Sequence, residues 1–216
     1  MTTISTPVRA AAGPPTVEPP PQVVMGFRPY RITVDLYNRM IESGAIGAKE
    51  PVFLWKGRLV EKMTKGDRHN FASAELNTLL VRVVPAGWFV RPEQPVTIDD
   101  DTMPEPDFSV VRGRPRDYVG RKVTAADVAL AVEVSDSSLP EDSGEKVEGY
   151  ARAEIPVYWV VNIPGRTIDV YTKPSGPREA GNAFYAERRS YRPGDEVPIV
   201  LDGREVGRIA VNDVLP

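Results

Sequence analysis

The stretch Ala129-Leu130-Ala131-Val132-Glu133-Val134-Ser135-Asp136-Ser137-Ser138 constrains this chain more than any other. Its apolar, β-branched first part reads as a buried strand. A strand buried on both faces needs a layer on each side, so the chain has to build a sheet with helices packed against it. The same stretch also carries Glu133. A strand has no packing reason to hold a carboxylate, and a charge entering a low-dielectric interior is costly unless a metal, a cation or hydrogen bonds compensate. Glu133 is therefore a candidate functional residue on physical grounds. A second strand-like run, Asp107-Phe108-Ser109-Val110-Val111, begins with an acid behind Pro104-Glu105-Pro106, and Lys146 follows further on. Two acids on neighbouring strands, with a lysine on the next helix, form the constellation of interest.

Around this centre the local signals run as follows. Residues 1–23 are rich in Ala, Pro and Thr, hold one basic residue, Arg9, and contain no apolar segment of the kind a signal peptide needs. They read as a disordered tail. Thr33 to Ser43 reads as a helix with Thr33 as N-cap and Gly44 after its end. Val52–Trp55 and Arg58–Glu61 read as a hairpin across Lys56-Gly57. Asp67 reads as the cap of a helix whose apolar stripe is Phe71, Leu76, Leu79, Leu80 and Val83. Strands are expected at Trp88–Val90, Pro95–Ile98, Asp107–Val111 and Asp127–Val134. Ser138 and Glu141 match a capping box opening a helix from Pro140 to Ala153. Further strands are expected at Pro156–Val161, Arg166–Tyr171, Tyr185–Tyr191 and Val206–Val211. Residues 24–216 thus read as one α/β (α+β) domain, a mixed β-sheet flanked by helices with a β-rich C-terminal extension.

Composition narrows the chemistry. The chain has no cysteine, which excludes disulfides, thiolate metal sites and cysteine nucleophiles and fits a cytoplasmic location. Its one histidine, His69, excludes a multi-histidine zinc site within a single chain. Carboxylate chemistry with Mg2+ or Mn2+ remains open. The net charge of -3 means that any nucleic-acid contact must use a local basic patch, and Arg112–Lys122 is the candidate. No apolar run is long enough to span a membrane, so no membrane partner is expected.

Phosphodiester hydrolysis needs an activated water and a means of stabilising negative charge on phosphorus and on the leaving oxygen. A carboxylate-held Mg2+ supplies both, and a lysine can orient the water. Asp107 and Glu133 are the candidate metal ligands, with Lys146 as the lysine. Tyr150 shares a helix face with Lys146 at i, i+4. Plainer readings exist. Asp107 can cap a turn, Glu133 can pair with Arg152, and Lys146 can pair with Asp142 on the helix surface. Glu61 can be a solvated hairpin residue, His69 a packed histidine, Tyr150 a core residue and Arg112–Lys122 a solvated loop.

The segments Pro104–Val111, Val132–Leu139, Asp142, Lys146, Tyr150–Ala153, Ile155-Pro156 and Tyr158–Val161, with Gly57–Gly66 and His69 before them, resemble the Uma2 family (DUF820) in order and spacing over roughly residues 50–172. That family belongs to the PD-(D/E)XK nuclease superfamily, with its restriction-endonuclease-like fold. The resemblance implies a bacterial, cytoplasmic endonuclease with a divalent metal. Asp107 matches the first core acid and Glu133 the second. Ser135 stands where the superfamily usually has lysine, and Lys146 resembles the migrated lysine of this branch. Glu61, His69 and Asp142 match recurrent family positions, Glu61 as a further metal-shell acid. Glu154 departs from the family's frequent Gly at the helix end, and Val157 and Asn162 stand where acids are frequent.

The leading expectation is a Mg2+-dependent (or Mn2+-dependent) endonuclease acting on DNA, with Asp107, Glu133 and Lys146 catalytic. A homodimer would join two basic patches and bring two sites to two strands. The alternatives are a non-catalytic nucleic-acid or protein binding module, with Tyr158, Trp159 and Tyr171 at its interface, or a hydrolase of small phosphate esters.

Overall fold

A computed structural model describes residues 29–47, 49–176 and 183–216. The Ala/Pro-rich segment 1–23, expected to be a disordered tail, lies outside the described residues. Helix α1 is Val34–Glu42, and the Thr33 hydroxyl caps it by accepting from the Leu36 amide at 3.2 Å. Strands β1 (Val52–Trp55) and β2 (Arg58–Glu61) form the expected hairpin. Its turn places both Lys56 (φ 48) and Gly57 (φ 75) in the left-handed region, the geometry that matches the twist of a two-residue hairpin. Helix α2 is Asp67–Val83. Its N-cap is Gly66 rather than Asp67, and Asp67 sits in the first turn, where a negative charge favours the helix dipole. The buried stripe of α2 is His69, Ala72, Leu76 and Leu80. Phe71, expected in that stripe, lies off it and is exposed.

Strands β3 (Trp88–Pro92), β4 (Phe108–Arg112), β5 (Val128–Ser135), β6 (Val157–Asn162), β7 (Thr167–Ser175) and β8 (Phe184–Tyr191) make one six-stranded sheet in chain order. Only β5 and β6 run parallel, with Glu133 beside Val160 in the register. Their crossover carries two helices, α3 (Leu139–Asp142) and α4 (Glu145–Arg152). A continuous helix over 140–153 is therefore not what forms. The Ser143-Gly144 pair interrupts it, with Gly144 at φ -119 and ψ -96, and Ser143 turns its hydroxyl back onto the Leu139 carbonyl. Ser138 and Glu141 make no capping box either, since the Ser138 hydroxyl donates to Asp142 at 2.5 Å. Residues 95–98 are extended but form no strand: Val96 and Ile98 bond to Pro104 and Thr102 in the neighbouring loop, and Thr97 makes one bridge to Thr124. A second hairpin, β9 (Glu196–Leu201) with β10 (Arg204–Ala210), completes the chain. Pro198 hides β9 in the sequence, because a proline demotes an apolar run as a strand candidate.

Residues 31–216 form one unit. On one face of the sheet, α2 and the β9–β10 hairpin cover Leu130, Val132, Val134 and Trp159. On the other face Tyr150, Ile155, Tyr158 and Tyr171 pack with Ala131 and Val160. Side chains alternate along a strand, so Ala131, Glu133 and Ser135 share the second face. Helix α4 ends in paired backbone bonds, Glu154 N–H to Ala151 O and Ile155 N–H to Tyr150 O, and Glu154 itself adopts φ 57. This is the left-handed terminus that glycine suits, formed here by a glutamate.

Helix α4 is locked to the first hairpin. Lys56 pairs with Glu148 at 3.1 Å, and a Cβ on Gly149 would meet the Trp55 ring at 2.6 Å. Gly149→Ala improves helix propensity but cannot fit without moving an indole that is 6% exposed. A net loss of about 1–3 kcal/mol is expected from overpacking. Urea unfolding checks it, and an Ala variant as stable as wild type would mean the indole moves freely.

Candidate functional site

The broken crossover and the β4–β5 pair converge on one cavity of about 360 Å³. Glu133, Asp107, Lys146, Asp142, His69 and Glu61 all line it. The Phe108–Val132 register places Asp107 opposite Glu133, one residue before the start of β4. Asp107 is fixed there by three donors: the Val134 amide at 2.7 Å, His69 Nε2 at 3.2 Å and Lys65 Nζ at 2.7 Å. With Asp107 ionised, His69 carries its proton on Nε2, so Nδ1 accepts from the Ser73 hydroxyl at 3.3 Å. Burial opposes the charge on Asp107, but the His69 hydrogen bond and the Lys65 ammonium outweigh it and hold the carboxyl at about 2.

That depression has a consequence for acid stability. The folded value lies below the ordinary 3.8, so the contribution is complete above about pH 4 and disappears as pH falls toward 2. It amounts to about 2 kcal/mol. Asp107→Asn should flatten the acid limb of the stability curve by this amount in urea unfolding at pH 5 and pH 2.5. Parallel limbs for the two proteins would contradict it.

Glu133 is held differently. Tyr150 donates to its Oε1 at 2.8 Å, and Lys146 Nζ lies 3.0 Å from the same oxygen. Lys146 Nζ also lies 2.8 Å from Asp142 Oδ1. Asp142 Oδ2 accepts from Ser135 at 2.7 Å and from Ser138. One ammonium thus faces two nearly buried carboxyls. Burial pushes Glu133 up to about 8, and the neighbouring Asp142 and Asp107 add to this against the pull of Lys146. Burial lowers Lys146, but Glu133 and Asp142 outweigh it and raise it above its ordinary value. One positive charge thus compensates two carboxyls, and burial with the Asp142 and Asp107 charges makes Glu133 the harder of the two to ionise.

The structure resolves several open readings. Arg152 pairs with Glu148, so it is not the partner of Glu133. Lys146 does pair with Asp142, but inside the cavity and jointly with Glu133. Tyr150 is at once a core residue and a hydrogen-bond donor to Glu133. Ser135, standing where a lysine was usual, props up Asp142 and so acts on Lys146 at one remove. Glu61 reaches the cavity from the exposed side of β2. The residue that the sequence left without a role is Lys65, which bridges Asp107 and Glu93 (2.9 Å) from the segment before α2. Its only sequence signal is that position ahead of the helix carrying His69.

Arg112–Lys122 does not face this cavity. Arg112 lies over Trp88 and pairs with Asp202, Arg114 pairs with Asp117, and Arg121 pairs with Asp127. Tyr158 and Trp159 are wholly buried and Tyr171 is 6% exposed, so they offer no interface. Among the described residues no helix is long and apolar enough to cross a membrane.

A family model described as "Uma2: Putative restriction endonuclease" matches residues 34–206. A solved structure described as that of a putative nuclease belonging to DUF820, from Anabaena variabilis ATCC 29413, is similar to this fold. It has a TM-score of 0.60 and 16% identity, over 85% of this chain and 97% of that one. No curated protein matches.

Proposed function

Because the chain belongs to the Uma2 family, whose model covers most of it, we propose that it is a divalent-metal-dependent endonuclease hydrolysing phosphodiester bonds in DNA. The observation that carries this reading is the convergence of Asp107, Glu133 and Lys146 on one cavity wall. A merely structural ion pair does not call for a second carboxyl converging on the same ammonium.

The donor set fits Mg2+ or Mn2+. Among the described residues no three acids or imidazoles converge as an all-protein cage. Mg2+ does not require one, since it keeps several waters and uses one or two carboxylates. Glu61, Glu93, Glu105, Asp107, Glu133, Asp136, Glu141 and Asp142 line the cavity against Lys62, Lys65 and Lys146. That excess of negative charge favours a cation and disfavours a bare phosphate. Asp107 and Glu133 are the residues that would hold it, and a metal there supplies charge neutralisation for the phosphate and a more acidic water.

The remaining work belongs to the protein. His69, Lys65 and the Val134 amide keep Asp107 ionised and oriented. Tyr150 and Lys146 fix Glu133 Oε1. Lys146, raised and therefore charged, places an ammonium where negative charge accumulates on the phosphorus oxygens. Asp142 and the hydroxyls of Ser135 and Ser138 fix the direction from which Lys146 enters.

Calorimetric titration with Mn2+ tests the metal half of the reading. Wild type is expected to bind and to release a proton near pH 7, because Glu133 must give up its proton. Asp107→Asn and Glu133→Gln should each abolish binding. Undiminished binding in both would place the metal elsewhere.

A further inference from the structure

A second cavity, of about 470 Å³, adjoins the first. Glu93 and Pro104 line one, while their chain neighbours Gln94 and Met103 line the other. Their charges are opposite. Arg91, Arg121 and Lys122 line the second cavity, and no acid among the described residues does. Arg121 lies over the Tyr118 ring and is neutralised by a two-point pair with Asp127. Arg91 and Lys122 make no ion pair among the described residues. The half-buried Arg91 side chain meets only neutral acceptors, Gln94 Oε1 at 3.2 Å and the Pro95 carbonyl at 3.3 Å. Burial pulls its guanidinium below the ordinary value, with Tyr118 and Asp127 opposing. A half-buried guanidinium with no carboxylate paired to it is unusual, because charges withdrawn from water are normally paired. Arg91 and the unpaired Lys122 on one acid-free cavity suit a ligand rich in acceptor oxygens and negative charge.

The acid-rich first cavity repels a polyanion, so a strand presented there needs an anchor beside it. We propose that the second cavity is a phosphate subsite for the nucleic-acid strand, with Arg91 and Lys122 holding a backbone phosphate next to the stretch of strand lying at Asp107 and Glu133. The inference rests on the nuclease reading for that second half. The contact is sequence-independent, as phosphate contacts are.

The test is fluorescence anisotropy of a fluorescein-labelled oligonucleotide, single-stranded and duplex, with the full chain in EDTA across a salt series. Lys122 is exposed, so Lys122→Ala leaves the fold unaffected, and Arg91→Gln is its partly buried companion. Each variant should bind about tenfold more weakly whatever the sequence. Each should lower the slope of log affinity against log salt by about 1. Arg114→Ala, which removes an arginine already paired with Asp117 and outside both cavities, should bind as wild type does. Wild-type affinity and slope in Lys122→Ala and Arg91→Gln, or no binding by wild type, would overturn the proposal. Binding of inorganic phosphate alone, with oligonucleotide affinity unmoved in the variants, would overturn it too. Cleavage with unchanged KM in both variants would remove the subsite and leave the nuclease reading. Salt-sensitive binding lost in the variants, without cleavage by wild type, would remove the nuclease reading and leave the subsite.

Discussion

Lys146→Ala is expected to abolish cleavage and to cost about 3–5 kcal/mol of stability at pH 8, the range for removing one partner of a buried ion pair. Lys146 is 17% exposed, while Glu133 and Asp142, its two partners, are 4% and 1% exposed. Removing the ammonium leaves two buried carboxyls facing each other. The cost should shrink at pH 5, where Glu133 keeps its proton in any case. Lys146→Arg retains the charge and should recover much of the stability. It should not recover cleavage, because a planar guanidinium on a longer stem presents its donors differently. Urea unfolding of the three proteins at both pH values checks this. An Ala variant within about 1 kcal/mol of wild type at pH 8 would show that Lys146 compensates neither acid.

Glu133→Gln should abolish metal binding and cleavage and yet stabilise the metal-free protein at high pH. In the unfolded chain Glu133 titrates at its ordinary value of 4.5, and in the fold at about 8. Between those values the folded state binds the extra proton, so stability falls as pH rises from about 4.5 to about 8 and levels off beyond. The fall is on the order of a few kcal/mol. A glutamine side chain does not titrate, so the variant lacks this slope. The melting temperature of metal-free wild type should drop between pH 5 and pH 8 relative to the variant, and Mn2+ should restore it in wild type alone. Melting curves that stay parallel across the range would mean that Glu133 is not protonated in the folded protein.

The sheet and the two core acids were legible because both rest on short-range pattern. The apolar run 128–134 can be nothing but interior, and a carboxylate inside it stands out. The hairpin at Lys56-Gly57 and the Thr33 cap were legible for the same reason, since turn and cap chemistry is local. What the sequence hid depends on tertiary placement. The break at Ser143-Gly144 separates two segments that each look helical, and only the fold shows that Asp142 and Lys146 both face Glu133. Lys65 is an ordinary lysine until the fold brings Asp107 to it across 42 residues of chain. The basic run 112–122 looked like one phosphate-binding patch. The fold divides it, spending Arg112, Arg114 and Arg121 on carboxylates and leaving Arg116 and Lys122, of which only Lys122 lines a cavity with Arg91, a residue outside the run.

On the proposed reading, Asp107, Glu133 and Lys146 form a metal-dependent nuclease site. The most direct measurement is cleavage of plasmid, linear and single-stranded DNA with Mg2+ or Mn2+, by wild type beside Asp107→Ala. Cleavage that requires the metal and disappears in the variant is the predicted result. No cleavage by wild type on any of the three, or equal cleavage by both proteins, would contradict it.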